Sequence, residues 1–235
     1  MRQQDPKQAL SSSPLVSRLP AAIREEFVSK CRVRFYEPRE RILTTGDLVS
    51  GPTWIEHGMV RAYLVDGDGV ESPMAYGWPG DLLPPSIPEG SEWPCDIRTI
   101  APTTLASIPR AALDELAKRS SGVGVALLDL LAAQMQRRQL WEAELRVVTL
   151  RHRLLKLLGR IADELGTQTS EGNLLDFPLT HGSLCFATWV SRDETGRAMR
   201  DLEEWGYFET RPRHRILVTD RDKLRHYRKR SEEEQ

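Results

Sequence analysis

Six arginines near the C-terminal end, Arg192, Arg197, Arg200, Arg211, Arg213 and Arg215, stand at spacings suited to reading nucleic acid. Arg192, Asp193, Gly196, Arg197 and Arg200 fall opposite an apolar side formed by Ala198, Met199, Leu202 and Trp205 at helical steps. A guanidinium presents a planar fork that matches guanine O6 and N7, and a carboxylate accepts from cytosine N4. Arg192, Asp193, Gly196 and Arg197 occupy the first two turns of the helix, the part that enters a major groove. They are the candidate base-reading set, with Gly196 letting the backbone sit close to the groove. Thr180, Ser191, Arg200 and the Arg211, Arg213 and Arg215 cluster are candidate phosphate contacts, which set affinity and register. A charged helix face is most often simply solvated. Here the capping serine, the basic hairpin and the spacing together favour DNA.

Those side chains need a frame, and the local signals supply one. Thr180 is a helix N-cap ahead of Ser183–Ala187, and Thr188-Trp189-Val190 is a tight turn. Ser191 caps the next helix, with Glu194 three residues on to complete a capping box, and Gly206 follows its end. Tyr207–Thr210 and Ile216–Val218 read as short strands, and Asp220 as the cap of a closing helix through Tyr227. Helix, turn, helix and basic hairpin make a winged helix-turn-helix. From Pro178 to Arg230 there are 12 Lys+Arg against 8 Asp+Glu, a local surplus that the acidic tail at 232–234 largely offsets.

Upstream, Leu150–Leu165 is an amphipathic helix capped by Thr149 and stopped at Gly166. Before it, Val125–Val148 has no Gly or Pro, and Leu127, Leu131, Gln134, Arg138, Trp141 and Leu145 step by three and four. That is a coiled-coil-like dimer seam with a polar break at Gln134 and Arg138, although a helix packed on its own domain has the same period. Between Val33 and Ile108, short apolar pieces alternate with Gly and Asp turns, as in an antiparallel roll. Asp66-Gly67-Asp68-Gly69 is a hairpin tip. Leu15–Lys30 is an amphipathic helix, and residues 1–14 are polar and read as a frayed terminus.

Composition limits the alternatives. The 235 residues carry 33 Lys+Arg and 34 Asp+Glu, so any DNA-binding surface must be local. Three dispersed cysteines argue against a disulfide scaffold and for a reducing cytoplasm, and cannot alone fill a four-cysteine metal site. No apolar run is long enough to span a bilayer, and no signal layout opens the chain.

The segments Leu179-Thr180 through Ser191-Arg192-Asp193-Glu194-Thr195-Gly196-Arg197 and Asp201–Tyr207 resemble the Crp/Fnr family of bacterial transcription regulators. Gly46-Asp47, Glu56-His57-Gly58 and Gly80-Asp81 resemble the turns of the family's β-roll, and Gln134–Arg138 its long dimer helix. The resemblance implies an α+β chain in four parts. Residues 1–14 are disordered, 15–120 a cyclic-nucleotide-binding-like sensory β-roll, 121–148 a dimerisation helix and 149–235 a winged helix-turn-helix. It implies a cytoplasmic homodimer on an inverted repeat of double-stranded DNA, meeting RNA polymerase if it activates, with Arg192, Asp193 and Arg197 at base-reading positions. Asp193 stands where a glutamate is commoner, which shortens its reach. Trp189 replaces a turn glycine. Cys185 stands where a small residue is preferred, so it is either a packing residue or a redox switch beside the DNA.

The resemblance also implies a sensor, but the ligand loop departs from the cyclic AMP pattern. Asp81 stands for the ribose-holding glutamate, and the phosphate-binding Arg-Ser pair falls on Trp93-Pro94. An indole has one donor and proline no N–H, so neither can hold a phosphate as an arginine does. Cyclic AMP is therefore not expected as effector. Trp78, Asp81, Trp93 and Trp141 are the candidate effector pocket, with an apolar or planar ligand and ordinary core packing both open, and no cofactor is expected. An iron–sulfur sensor lacks its cysteine cluster. A thiol enzyme built on Cys95 lacks a histidine placed to activate it, and a signalling module without DNA binding sits poorly with the basic helix and hairpin.

Overall fold

Consecutive residues on three strands of the N-terminal half face different cores. The computed structural model describes residue 10 and residues 13–48, 50–83, 90–188 and 190–220. Two short helices, α1 (Pro14–Arg18) and α2 (Ala21–Lys30), lead into β1 (Arg32–Tyr36), β2 (Arg41–Leu43), β3 (Thr53–His57) and β4 (Val60–Val65). β5 (Glu71–Gly77), β6 (Leu82–Leu83), β7 (Asp96–Thr99) and β8 (Thr103–Ser107) follow. They form two antiparallel sheets, ordered β1-β8-β3-β6 and β2-β7-β4-β5. α3 (Arg110–Arg119) and the long α4 (Ser121–Val147) come next.

The first sheet is the middle layer. Trp54, Leu82 and Ala106 join the cluster formed with the helices, including Leu19, Phe27, Leu116 and Leu130. Their neighbours Ile55, Leu83 and Leu105 join the other cluster, with Val60 and Ile97 of the second sheet. Side chains alternate across a strand, so one sheet serves both cores. At the expected hairpin tip, Asp66 Oδ1 accepts from the Asp68 and Val70 N–H groups and Gly69 takes φ 79°.

Two residues of the segment expected to be disordered, Leu10 and Ser13, are buried. Leu10 is fully buried in the helix-side core, and Ser13 Oγ accepts from the Val16 N–H to cap α1. The single helix expected over Leu15–Lys30 is two, because Leu19 is extended and its N–H bonds the Val16 carbonyl. Gly122 lies in the first turn of α4. A Cβ there would lie 2.5 Å from Pro20 Cγ, so its bareness admits the preceding helical segment.

The chain divides into two compact units, Met1–Leu140 and Trp141–Gln235. α4 ends at Val147, and α5 (Leu150–Leu165) starts behind Thr149, whose side chain accepts from the His152 N–H as expected. β9 (Thr167–Thr169) and β10 (Gly172–Leu175) make a hairpin whose first, polar strand had no signal in the sequence. α6 (His181–Thr188) and α7 (Arg192–Glu204) precede β11 (Glu209–Arg211), a 3-10 turn at Pro212–His214, and β12 (Arg215–Val218). The sheet order is β11-β12-β10-β9. Leu154, Leu158, Ile161, Leu184, Leu202 and Phe208 are buried in this unit. The helix expected after Asp220 lies outside the described residues.

Candidate nucleic-acid interface

Ser191 has the geometry its position predicts. The Glu194 N–H donates to Ser191 Oγ at 3.2 Å, while the Ser191 N–H and hydroxyl donate to Glu194 Oε2 at 3.1 and 2.7 Å. These bonds hold the Glu194 carboxyl below the usual carboxylate range, with Arg197 adding attraction. Thr180 Oγ1 accepts from the Ser183 N–H at the start of α6 in the same way. The two helices therefore begin where the sequence places them.

Arg192, Asp193, Arg197 and Arg200 are exposed on α7, while Thr195, Gly196, Ala198, Met199 and Leu202 are buried. Gly196 is thus a correction to the expected reading set. It faces α6 rather than solvent, and a Cβ on it would lie 3.0 Å from His181 Nδ1, so its bareness lets the two helices close. Arg192 lies over α6 as well. A Cβ at Gly182 would sit 3.3 Å from its Nη2. From α5, Arg151 Nε donates to Asp201 Oδ2 at 2.9 Å, and its guanidinium lies 5.4 Å from the Trp205 ring centroid. That pair fixes α7 from behind, and nothing local in the sequence announces it.

The three wing arginines are not equivalent. Arg211 Nη2 donates to Glu171 Oε2 at 2.7 Å and pairs with Glu209 at 3.0 Å. Arg215 Nη1 donates to Asp176 Oδ1 at 2.9 Å, and its Nε to the Pro212 carbonyl at 3.1 Å. Both brace the hairpin, whereas Arg213 is exposed at its tip. Arg213 and His214 have φ of 63° and 57°, a left-handed conformation that costs an L-residue energy. The Leu179 N–H donates to the His214 carbonyl at 2.9 Å and holds this turn beside the start of α6. Cys185 is half-buried in α6, with its thiol 3.4 Å from the Gly182 carbonyl oxygen. Trp189 lies outside the described residues.

The residues of the expected seam on α4 have different surroundings. Leu127 and Leu131 pack against the roll's helix-side core. Gln134 Nε2 donates to the Leu82 carbonyl at 3.2 Å, and its Oε1 accepts from the Leu82 N–H at 3.1 Å. Leu127, Leu131 and Gln134 are thus engaged by the chain's own roll. The exposed large apolar residues of α4 among those described are Val125 at 54%, Leu128 at 66%, Met135 at 60% and Leu140 at 59%, and Ala132 is exposed between the second and third. Arg138 is exposed, and the side chain of Leu145 lies outside the described residues.

The residues expected to form an effector pocket have separate duties. Asp81 Oδ2 accepts from the Trp78 N–H at 2.9 Å and Oδ1 from Arg137 Nη2 at 2.7 Å, so its carboxylate is spent within the chain. Trp93 is 5% exposed and packs with Ile55, Val60, Leu83, Ile97 and Leu105. Its backbone is fixed by the Asp47 carbonyl and the Gly46 N–H, at 2.8 and 2.9 Å. Trp141 belongs to the other unit, where the Arg160 guanidinium lies 6.0 Å from its ring centroid. Burial and then the Asp96 carboxylate push the Cys95 thiol up, the opposite of an activated nucleophile.

The Crp-like helix-turn-helix domain family matches residues 150–227, and the cyclic nucleotide-binding domain family matches residues 33–120. Comparison with curated protein sequences gives no match. Among solved structures, a CRP-family transcriptional regulator of Thermus thermophilus is 24% identical with a TM-score of 0.67, covering 81% of this chain and 94% of its own. FixK2 of Bradyrhizobium japonicum is 18% identical with a TM-score of 0.65, covering 83% and 96%. The c-di-GMP-responsive global regulator CLP of Xanthomonas campestris is 20% identical with a TM-score of 0.63, covering 86% and 100%. At these identities the likeness is one of fold.

Proposed function

The chain belongs to the Crp/Fnr family of bacterial transcription regulators, and on that premise we propose that it binds an inverted repeat of double-stranded DNA as a homodimer. The observation that carries the reading is the exposure of Arg192, Asp193 and Arg197 on the first two turns of a Ser191-capped helix, with a wing beside it. Arg192 and Arg197 offer bidentate forks to guanine, and Asp193 an acceptor for cytosine N4. Arg200 and Arg213 meet phosphates and position the helix.

The dimer forms through Val125, Leu128, Ala132 and Met135. Their steps of three, four and three residues make one stripe on α4, and three large apolar side chains more than half exposed favour burial against a second copy. The half-sites then lie about one helical turn, roughly 34–36 Å, apart. If the regulator activates, it also contacts RNA polymerase from the bound site.

Cyclic AMP is not the effector in this reading. The side chain at the phosphate-holding position is Trp93, which is buried among aliphatic residues of the roll and has no cation to offer.

The test is selection of duplexes from sheared genomic DNA by the purified full chain with no ligand added. Recovery of an inverted repeat supports the reading, and native mass spectrometry of the same sample checks for a retained ligand. No enrichment of any sequence, with or without cyclic AMP, overturns it.

A further inference from the structure

We propose that His181, set between the reading helix and the wing turn at His214, is a proton-linked phosphate contact, so that the protein takes up a proton as it binds DNA. The inference rests on the DNA-binding reading and adds to it a dependence on pH. Three elements meet at this point. His181 opens α6, His214 ends the wing turn, and the Leu179 N–H to His214 carbonyl bond at 2.9 Å holds the two segments together. The third is α7, which abuts the His181 ring through Gly196, where a Cβ would come within 3.0 Å of Nδ1. Two successive L-residues at the wing, Arg213 and His214, are kept at positive φ, a backbone cost that concentrates at binding sites.

Among the described residues, the charges that shift His181 are of one sign. Arg200 on α7 and His214 on the wing act on it directly, and the Arg192 guanidinium lies over Gly182, the next residue. Desolvation comes first, and Arg200 and His214 add repulsion, so the His181 imidazole is held below its ordinary value. The backbone N–H groups of a helix start also disfavour a cation there. The charged groups that act on His181 among the described residues are cationic, so this cluster favours an anion. When a DNA phosphate enters it, the local potential reverses, the imidazolium becomes the favoured form, and a proton is taken up.

By linkage, affinity then rises as pH falls, by at most about tenfold per pH unit for each proton bound. The experiment measures binding of the full chain to the selected duplex by fluorescence anisotropy from about pH 8 to about pH 6, spanning the histidine range. Ionic strength is held constant, and circular dichroism is recorded at each point. Wild type is expected to tighten several-fold as pH falls, His181→Asn to stay nearly flat, and His214→Asn to fall between. Calorimetry of the wild type in two buffers of different ionisation enthalpy reads the proton uptake without any variant. Equal slopes for wild type and His181→Asn, or zero proton uptake, would overturn the proton-linked contact while leaving DNA binding intact. Absence of binding to any duplex at every pH would instead sink the DNA-binding reading beneath it.

Discussion

The side-chain amide of Gln134 grips the backbone of Leu82 from both sides, accepting from its N–H at 3.1 Å and donating to its carbonyl at 3.2 Å. Three residues on, Arg137 reaches Asp81 at 2.7 Å, so adjacent residues of the roll are tied to one face of α4. Leu82 packs toward the helices and Leu83 toward Trp93 and the interior. A disturbance inside the roll therefore has a short physical route to the long helix, through one two-residue strand.

Gln134→Ala leaves two partly buried backbone groups at Leu82 without their side-chain partner. It is expected to lower stability by about 1–3 kcal/mol, the range for an unsatisfied buried group. Urea denaturation followed by circular dichroism checks this, and sedimentation should show the oligomeric state unchanged.

The two faces of α4 predict opposite phenotypes. Leu128→Glu combined with Met135→Glu should yield a folded monomer in analytical ultracentrifugation, with affinity for the inverted repeat reduced by more than tenfold. Leu131→Ala should weaken the roll while the protein remains dimeric. The reverse pattern would return the seam to the Leu127–Leu131 face.

Arg192→Ala is expected to cost about 1–3 kcal/mol of binding and to relax preference at one base pair per half-site. Arg213→Ala should weaken all duplexes alike and reduce the salt dependence by about one ion per protomer. An altered base preference for Arg213→Ala would place it among the reading residues.

Trp93→Ala removes a buried indole from between two sheets and is expected to cost about 3–5 kcal/mol. Thermal denaturation measures the loss. Restoration of part of it by added indole would show that the space is closed by the side chain itself.

Stability of the winged helix should fall on acidification in two stages. His181 is held below its ordinary value, so the unfolded chain binds a proton that the folded chain refuses. Stability is therefore full above the ordinary imidazole value of about 6.5 and declines below it, until the folded value is passed. Glu194 is held below the carboxylate range, so its contribution is present above that range and is lost at more acid pH. Urea denaturation of wild type and His181→Asn, between about pH 7.5 and about pH 5.5, isolates the first stage as the steeper loss in wild type.

What was legible in the sequence was what is local. The Ser191–Glu194 box, the Thr149 and Thr180 caps and the 66–69 hairpin depend on residues within a few positions of each other. The faces of α4 were not legible. Leu127–Leu131–Gln134 and Val125–Leu128–Met135 have the same helical period, and what engages the first of them is a strand some fifty positions away in sequence. The Arg211–Glu171 and Arg215–Asp176 pairs were hidden for the same reason. Gly196 was misread because bareness serves a close approach equally well whether the neighbour is DNA or, as here, His181. The Thr167–Thr169 strand carries no apolar alternation at all.

The separation of partners on α4 has an evolutionary consequence. Val125, Leu128 and Met135 answer to whatever lies outside the roll, while Leu127, Leu131 and Gln134 answer to the roll itself. On the dimer proposed above, after gene duplication one stripe can drift until two paralogues no longer recognise each other, with the other stripe untouched and each fold intact. Insulation of parallel regulatory circuits is then a matter of a few surface codons on a single helix.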